Sequence, residues 1–251
     1  MSGSTQRLWA IGAALVVLLG TAQLTWSQDA VEVRLAPSGM LQVSRGGAEL
    51  ASIEINAHGA NWTHAPQKGA KAEVGDLPEQ AGKCFTGILP IPNTEGGSIR
   101  YTETVRTLSQ GFRLEYELTM TKAMKLNGLQ LSINIPVAKY AGKEVVVSQV
   151  QDDEPKLVGL PKEQPEEGRF QLWSGQGAKI ELAKGTPEAI TLELRAETDV
   201  IIQDLRQWEQ PVFEIRFPAI MEASGHAVAA GDRYHLDITI TFAGPACLKG
   251  P

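Results

Sequence analysis

The sequence predicts an all-β fold, an antiparallel β-sandwich behind an N-terminal signal peptide. Three observations predict it. Apolar residues recur at every second position in the best-patterned segments, turn residues interrupt the chain at short intervals, and no segment sustains a 3.6-residue period. The last of these excludes a doubly wound α/β enzyme.

The chain opens with Arg7 and an apolar run from Leu8 to Gly20. At 13 residues the run is shorter than the roughly 20 that span a bilayer. A basic start, a short apolar core and small residues beyond it make a signal peptide, 1–27. Cleavage after Ser27, with Thr25 three residues before the cut, is preferred. Cleavage after Ala22 and an uncleaved anchor are the alternatives. No Cys follows the run, which argues against a lipid anchor, and no second long apolar run exists. The expectation is an exported protein, periplasmic or extracellular, with no stable membrane span after processing.

Residues 28–251 are expected to form one domain. Its clearest strands are Phe112, Leu114, Tyr116, Leu118 and Met120; Leu129, Leu131, Ile133 and Ile135; and Tyr234, Leu236, Ile238, Ile240 and Phe242. Polar residues fill the positions between, so each strand buries one face and wets the other. Shorter strands are expected near 31–35, 40–44, 48–55, 83–89, 98–106, 143–149, 169–173, 178–182, 189–194, 199–203 and 211–217. Turn residues separate them, among them Arg45-Gly46-Gly47, Glu95-Gly96-Gly97 and Asn127-Gly128. Two stretches lack the pattern. Residues 56–82 look irregular. Residues 151–168, rich in acids and proline, read as a long solvated acidic loop, with a domain linker as the alternative.

The formal net charge is −6, and the leader holds a base and no acid, so the rest is more acidic still. No basic run is present to hold a phosphate backbone, which excludes nucleic acid as a partner. Two cysteines, Cys84 and Cys247, in an oxidising compartment suggest a disulfide. It would close a long loop and contribute up to about 5 kcal/mol; two separate thiols are the alternative.

Three segments carry candidate ligand-binding residues. The first is His58-Gly59-Ala60-Asn61-Trp62-Thr63-His64. An indole matches the C–H face of a sugar ring, and imidazoles and amides read hydroxyls. His58, Trp62 and His64 are therefore candidates, against a reading of Trp62 as a core plug. Metal binding is weak here, because no carboxylate or Cys stands near the two His. Asn61-Trp62-Thr63 is also a formal glycosylation sequon. The second segment offers Asp204, Arg206 and Trp208 as a ring- and hydroxyl-binding edge. Its structural reading is a corner where Arg206 pairs Asp204 and lies under Trp208. The third is Trp173 at a strand end, half core or stacking platform. If the loops of Trp62 and Trp208 share one face, they share a ligand; if they lie at opposite ends, a scaffold role leads. Asp152-Asp153-Glu154 reads as a solvated loop rather than a calcium contact. No catalytic signature, metal site or cofactor motif is found.

Thr86-Gly87-Ile88-Leu89-Pro90, Ile99-Arg100-Tyr101-Thr102-Glu103, Arg113-Leu114-Glu115-Tyr116, and Leu129 to Pro136 follow one another in a familiar order. With the Gln203–Trp208 stretch and a terminal alternating strand, the pattern resembles the large β-sandwich domains of bacterial polysaccharide-active secreted proteins. It is also similar in texture to the galactose-mutarotase-like supersandwich. The resemblance implies a supersandwich or jelly-roll-like fold and a carbohydrate context. It does not carry an activity: mutarotases use a Glu and a His as base and acid, and their pattern does not fall on His58, His64, His226 or His235. Three functions follow in order of preference. They are a non-catalytic binder of a glycan or polysaccharide, an envelope scaffold or protein-interaction module, and a sugar-active epimerase, lyase or hydrolase.

Overall fold

The computed structural model describes residues 30–78, 81–151 and 154–250. The signal peptide and Asp152-Asp153 lie outside the described residues. Sixteen strands join in one continuous sheet, which curls into two layers. The first layer runs β16 (Ala246–Lys249), β1 (Val31–Leu35), β2 (Leu41–Arg45), β3 (Ala48–His58), β9 (Met124–Pro136) and β14 (Val212–Val228). The second runs β15 (Arg233–Phe242), β8 (Gly111–Met120), β7 (Ser98–Leu108), β6 (Gly82–Pro90) and β5 (Lys71–Asp76).

One strand belongs to both layers. In β13 (Ile190–Asp204), Ile190 to Leu194 pair with β15, and Ile201 to Asp204 pair with β14. Its neighbour β12 (Gln171–Leu182) follows it across both halves, with a register shift between Gly177 and Lys179. The sequence suggests two short strands in each place. A shift breaks the alternation locally without ending the strand, which explains the reading.

The expected period-two strands are present. Phe112, Leu114, Tyr116 and Leu118 of β8 face Leu41, Ile53, Leu131 and Ile133 across a single core cluster. The acidic stretch is not all loop: β11 (Lys156–Gly159) pairs with β10 (Glu144–Ser148). The stretch 56–82 is not irregular throughout either. It holds β4 (His64–Pro66), paired back on β3, and β5. Gln67, in the connection between them, is fully buried. Its amide nitrogen donates to Glu103 Oε2 at 2.6 Å and Ser38 O at 2.9 Å, and its oxygen accepts from Tyr116 and from the Ile55 N–H.

The expected bridge between Cys84 and Cys247 is not made; both are free thiols. Register supplies the reason. Cys84 lies opposite Thr104, on the face of the second layer turned away from the core, whereas its neighbour Phe85 points inward. Cys247 lies opposite Glu32, on the corresponding outward face of the first layer, where Val31 and Val33 point inward. An even cysteine count carries no information about faces.

Candidate functional site

The first layer has an apolar face on the core and a polar face on its other side. Register builds the polar face in rows across three strands. Glu54 of β3, Ser132 of β9 and Arg216 of β14 form one row. Asn56, Gln130 and Pro218 form the next, and His58, Gly128 and Met221 the third. Period two predicts this face to be wet. It is not: Glu54, Asn56, Gln130, Ser132 and Glu214 are all buried. β9, in the middle of its layer, is covered on both faces.

Most of these polar groups are satisfied by one another. Arg216 donates through Nη2 to Glu214 Oε2 at 2.5 Å, and Ser132 Oγ donates to Glu214 Oε1 at 2.5 Å. The backbone N–H of Lys68 donates to Glu54 Oε2 at 2.8 Å. Burial nonetheless pushes the Glu54 carboxyl above the usual range, with the nearby Glu214 adding to the effect. His64 Nε2 bonds Asn56 Oδ1 at 2.7 Å.

The place where the second and third rows adjoin is different. Gln130 is 0% exposed, yet neither its Oε1 nor its Nε2 has a partner among the described residues. His58 Nδ1, also buried, has none. Burial, reinforced by His64 and Arg216, lowers the His58 pKa to about 4. The facing Gln130 amide pulls the other way without reaching hydrogen-bonding geometry. A buried amide without partners costs about 1–3 kcal/mol, so native structures rarely keep one.

Trp62 stands over this spot. The connection from β3 to β4 turns through Ala60–Trp62, a single 3-10 turn. The Gly59 N–H donates to Thr63 O at 2.9 Å, which closes the turn. Asn61 and Trp62 sit at φ 56° and 59°. Asn accepts the left-handed region; a bulky residue there costs about 1–2 kcal/mol. Trp62 is 41% exposed, and its ring meets His58 edge-on at a centroid distance of 5.5 Å. His58 and His64 stack at 5.2 Å. Beneath lies Gly128, whose backbone does not require glycine. A Cβ there would stand 3.0 Å from His58 Nδ1, 3.1 Å from Gln130 Oε1 and 3.5 Å from the Trp62 ring. The absent side chain makes room at the point where the polar groups without partners converge.

The second expected group sits elsewhere. Trp208 follows the end of β13, and Leu205, two residues past Gln203, is tied to Val212, which pairs with Pro136. Gly128 lies eight residues along β9 from Pro136, its last residue, about 26 Å away at the usual strand rise. Trp62 and Trp208 therefore do not line one pocket. Around Trp208 the structural reading holds for the Arg206–Asp204 pair and fails for the stacking on Trp208. Arg206 donates to both Asp204 oxygens and to the carbonyls of Pro161, Lys162 and Glu163. Its guanidinium lies over Phe213, not Trp208, and Trp208 meets Phe170 edge-on. Trp173, on β12, is partly buried and packs against the core. Its ring lies over Gly175, where a Cβ would come within 2.7 Å of it.

The sequence pointed to His58, Trp62 and His64 by residue type. It gave no sign of Gln130, Gly128, Glu54 or Glu214, which lie on separate strands and meet only through lateral register. No group of His, Cys, Asp and Glu among the described residues is arranged to hold a metal. The same residues contain no helix long and apolar enough to cross a membrane. A depression of about 290 Å³ is lined by Glu181, Lys184, Thr191 and Phe242, among others, and by no residue of the polar face.

The sequence matches no family model and no curated protein. Solved structures do match. A galactose mutarotase-like protein from Lactobacillus casei superposes with a TM-score of 0.51 at 13% identity, over 83% of this chain and 96% of that one. A protein assigned as an aldose 1-epimerase, from Escherichia coli, gives 0.50 at 8%, over 86% and 99%. An α-mannosidase from Enterococcus faecalis gives 0.51 at 9%, over 86% of this chain but 29% of its own. The chain has the galactose mutarotase-like β-sandwich fold. At these identities the likeness is one of fold.

Proposed function

We propose that this is an exported, non-catalytic carbohydrate-binding protein, and that its site is the Trp62 end of the polar face. The carrying observation is the half-exposed indole of Trp62 above the buried amide of Gln130. Sugar sites pair an aromatic platform with fixed polar groups. The fold supports the reading, since its structural neighbours include a galactose mutarotase-like protein, a protein assigned as an aldose 1-epimerase and an α-mannosidase. The separation of Trp62 from Trp208 tells against the two-loop site and, by that measure, toward a scaffold; the binding reading rests instead on residues from β3, β9 and the turn.

A scaffold would present a broad apolar patch or an open edge, and the exposed β5, which ends the second layer, is such an edge. The exposed Val74 and Ile88 fall on opposite faces of the β5–β6 ladder, because Val74 lies opposite the inward Phe85 and Ile88 opposite Lys71. They do not form one patch. Catalysis is favoured by the perturbed titration of groups at this face, raised for Glu54 and lowered for His58 and His64 by burial. Against it, Arg216 occupies Glu214 Oε2 through Nε and Nη2, Ser132 occupies Oε1, and Asn56 occupies His64.

A glycan array probed with the chain from Gln28 onward tests the reading. Binding that Trp62→Ala abolishes supports it. Binding to no glycan removes it. New reducing ends, or accelerated anomer exchange followed by NMR, would replace it with the enzymatic reading. N-terminal sequencing of the exported protein should start near Gln28, and a start at Ser2 would remove the export claim.

A further inference from the structure

The geometry points to Gln130 and His58 as a diol-binding pair that a ligand reaches by displacing Trp62 from above Gly128. This deepens the carbohydrate reading and rests on it. Three hydrogen-bonding atoms lack partners at one place: Gln130 Oε1, Gln130 Nε2 and His58 Nδ1. A primary amide offers an acceptor and a donor side by side. Two adjacent hydroxyls are its complement, since one donates to Oε1 and the other accepts from Nε2. His58 Nδ1, on the adjoining strand, faces the same point from across Gly128 and serves a third hydroxyl.

The cover is built to move. The turn is pinned on both sides, by the β3–β4 pairing of His58 with His64 and by the Gly59 to Thr63 bond. Gly59 is wedged against the Pro92 carbonyl, where a Cβ would stand at 2.4 Å. Between these anchors only Ala60, Asn61 and Trp62 are left at the tip, two of them in the left-handed region. Leaving that conformation relieves strain, and strain of this kind marks clamps and switches. Met221, exposed and in the same row as Gly128, forms the opposite rim. A pyranose entering between the rims would meet indole on one side and thioether on the other.

Charge narrows the ligand. His58 is uncharged above about pH 4 and gives no cation to a carboxylate or sulfate. Arg216 is committed to Glu214, Lys68 acts on Glu54 and His64, and the Glu214 carboxylate and the Glu54 carboxyl lie along the same face. The class is therefore a neutral pyranose with vicinal hydroxyls, and anionic sugars are rejected.

The test is calorimetric titration of the chain from Gln28 with the methyl glycosides of glucose, galactose, mannose and glucuronate, beside Gln130→Met. Met keeps the length of Gln and removes its hydrogen bonds. Because Gln130 gives up no partner, Gln130→Met should melt at or above the wild-type temperature while binding a neutral glycoside at least about tenfold more weakly. Gly128→Ala, which fills the space, should do the same. The glucuronate should bind more weakly than its neutral counterpart. Wild-type affinity in Gln130→Met, or preference for glucuronate, overturns this inference and leaves the carbohydrate reading standing. A wild type that binds no neutral glycoside and no glycan on the array overturns both. A melting temperature that falls steeply in Gln130→Met assigns the residue to structure and overturns the pair.

Discussion

Among the described residues two places carry an exposed tryptophan, Trp62 and Trp208, and they are built in opposite ways. At Trp208 every strong donor nearby is spent: the Arg206 fork is filled by Asp204 and three carbonyls. At Trp62 the ring covers an amide and an imidazole nitrogen that nothing fills. Exposure is similar, 49% and 41%, so exposure alone does not separate a structural corner from a binding site. Satisfaction of the polar groups underneath does. Satisfied networks rigidify, whereas unsatisfied ones mark sites where stability has been given up for another purpose.

The largest effect should come from the satisfied corner. Asp204→Ala leaves a nearly buried Arg206 without its carboxylate and should cost about 3–5 kcal/mol in urea unfolding, with glycan binding intact in the folded fraction. Loss of binding from a stable Asp204→Ala protein would break the comparison.

A buried polar group without a full set of partners should also register in the core. Glu103 is fully buried and its Oε1 lacks a partner. Burial holds its carboxyl well above the usual range. A folded pKa above the unfolded one makes the linked stability complete below the unfolded pKa, near 4.5, and drains it as pH rises toward the folded value. Glu103→Gln should be more stable than wild type at pH 8 and should flatten the fall in stability above pH 5. An unchanged slope would show that the carboxyl ionises without penalty.

How much of this was legible follows from what period two conveys. In β8 and β15 the alternation gave strand and inward face together. In β9 it gave the strand and misjudged the outer face, because Gln130 and Ser132 alternate correctly but are covered by β3, β14 and the Trp62 turn. His58, Trp62 and His64 were visible because they are neighbours in sequence. Gln130 lies about 70 residues from His58 and joins it only through the β3–β9 register. The same blindness to register suggested a disulfide between cysteines on two outward faces.

A smaller effect sharpens the contrast within the turn. Asn61→Gly should change stability by no more than about 0.5 kcal/mol, since Asn already tolerates the left-handed region, yet it should weaken glycan binding by loosening the platform. Unaltered affinity would mean that the tip is not what holds Trp62 in place.

The most direct test of the central claim sets the two tryptophans side by side. Trp62→Ala and Trp208→Ala are titrated by calorimetry with whichever glycan the array identifies. Loss of a stacking ring is worth about 1–3 kcal/mol, or roughly one to two decades of affinity. The account predicts that loss for Trp62→Ala and wild-type affinity for Trp208→Ala. Wild-type affinity in Trp62→Ala, or an equal loss in both, would contradict it.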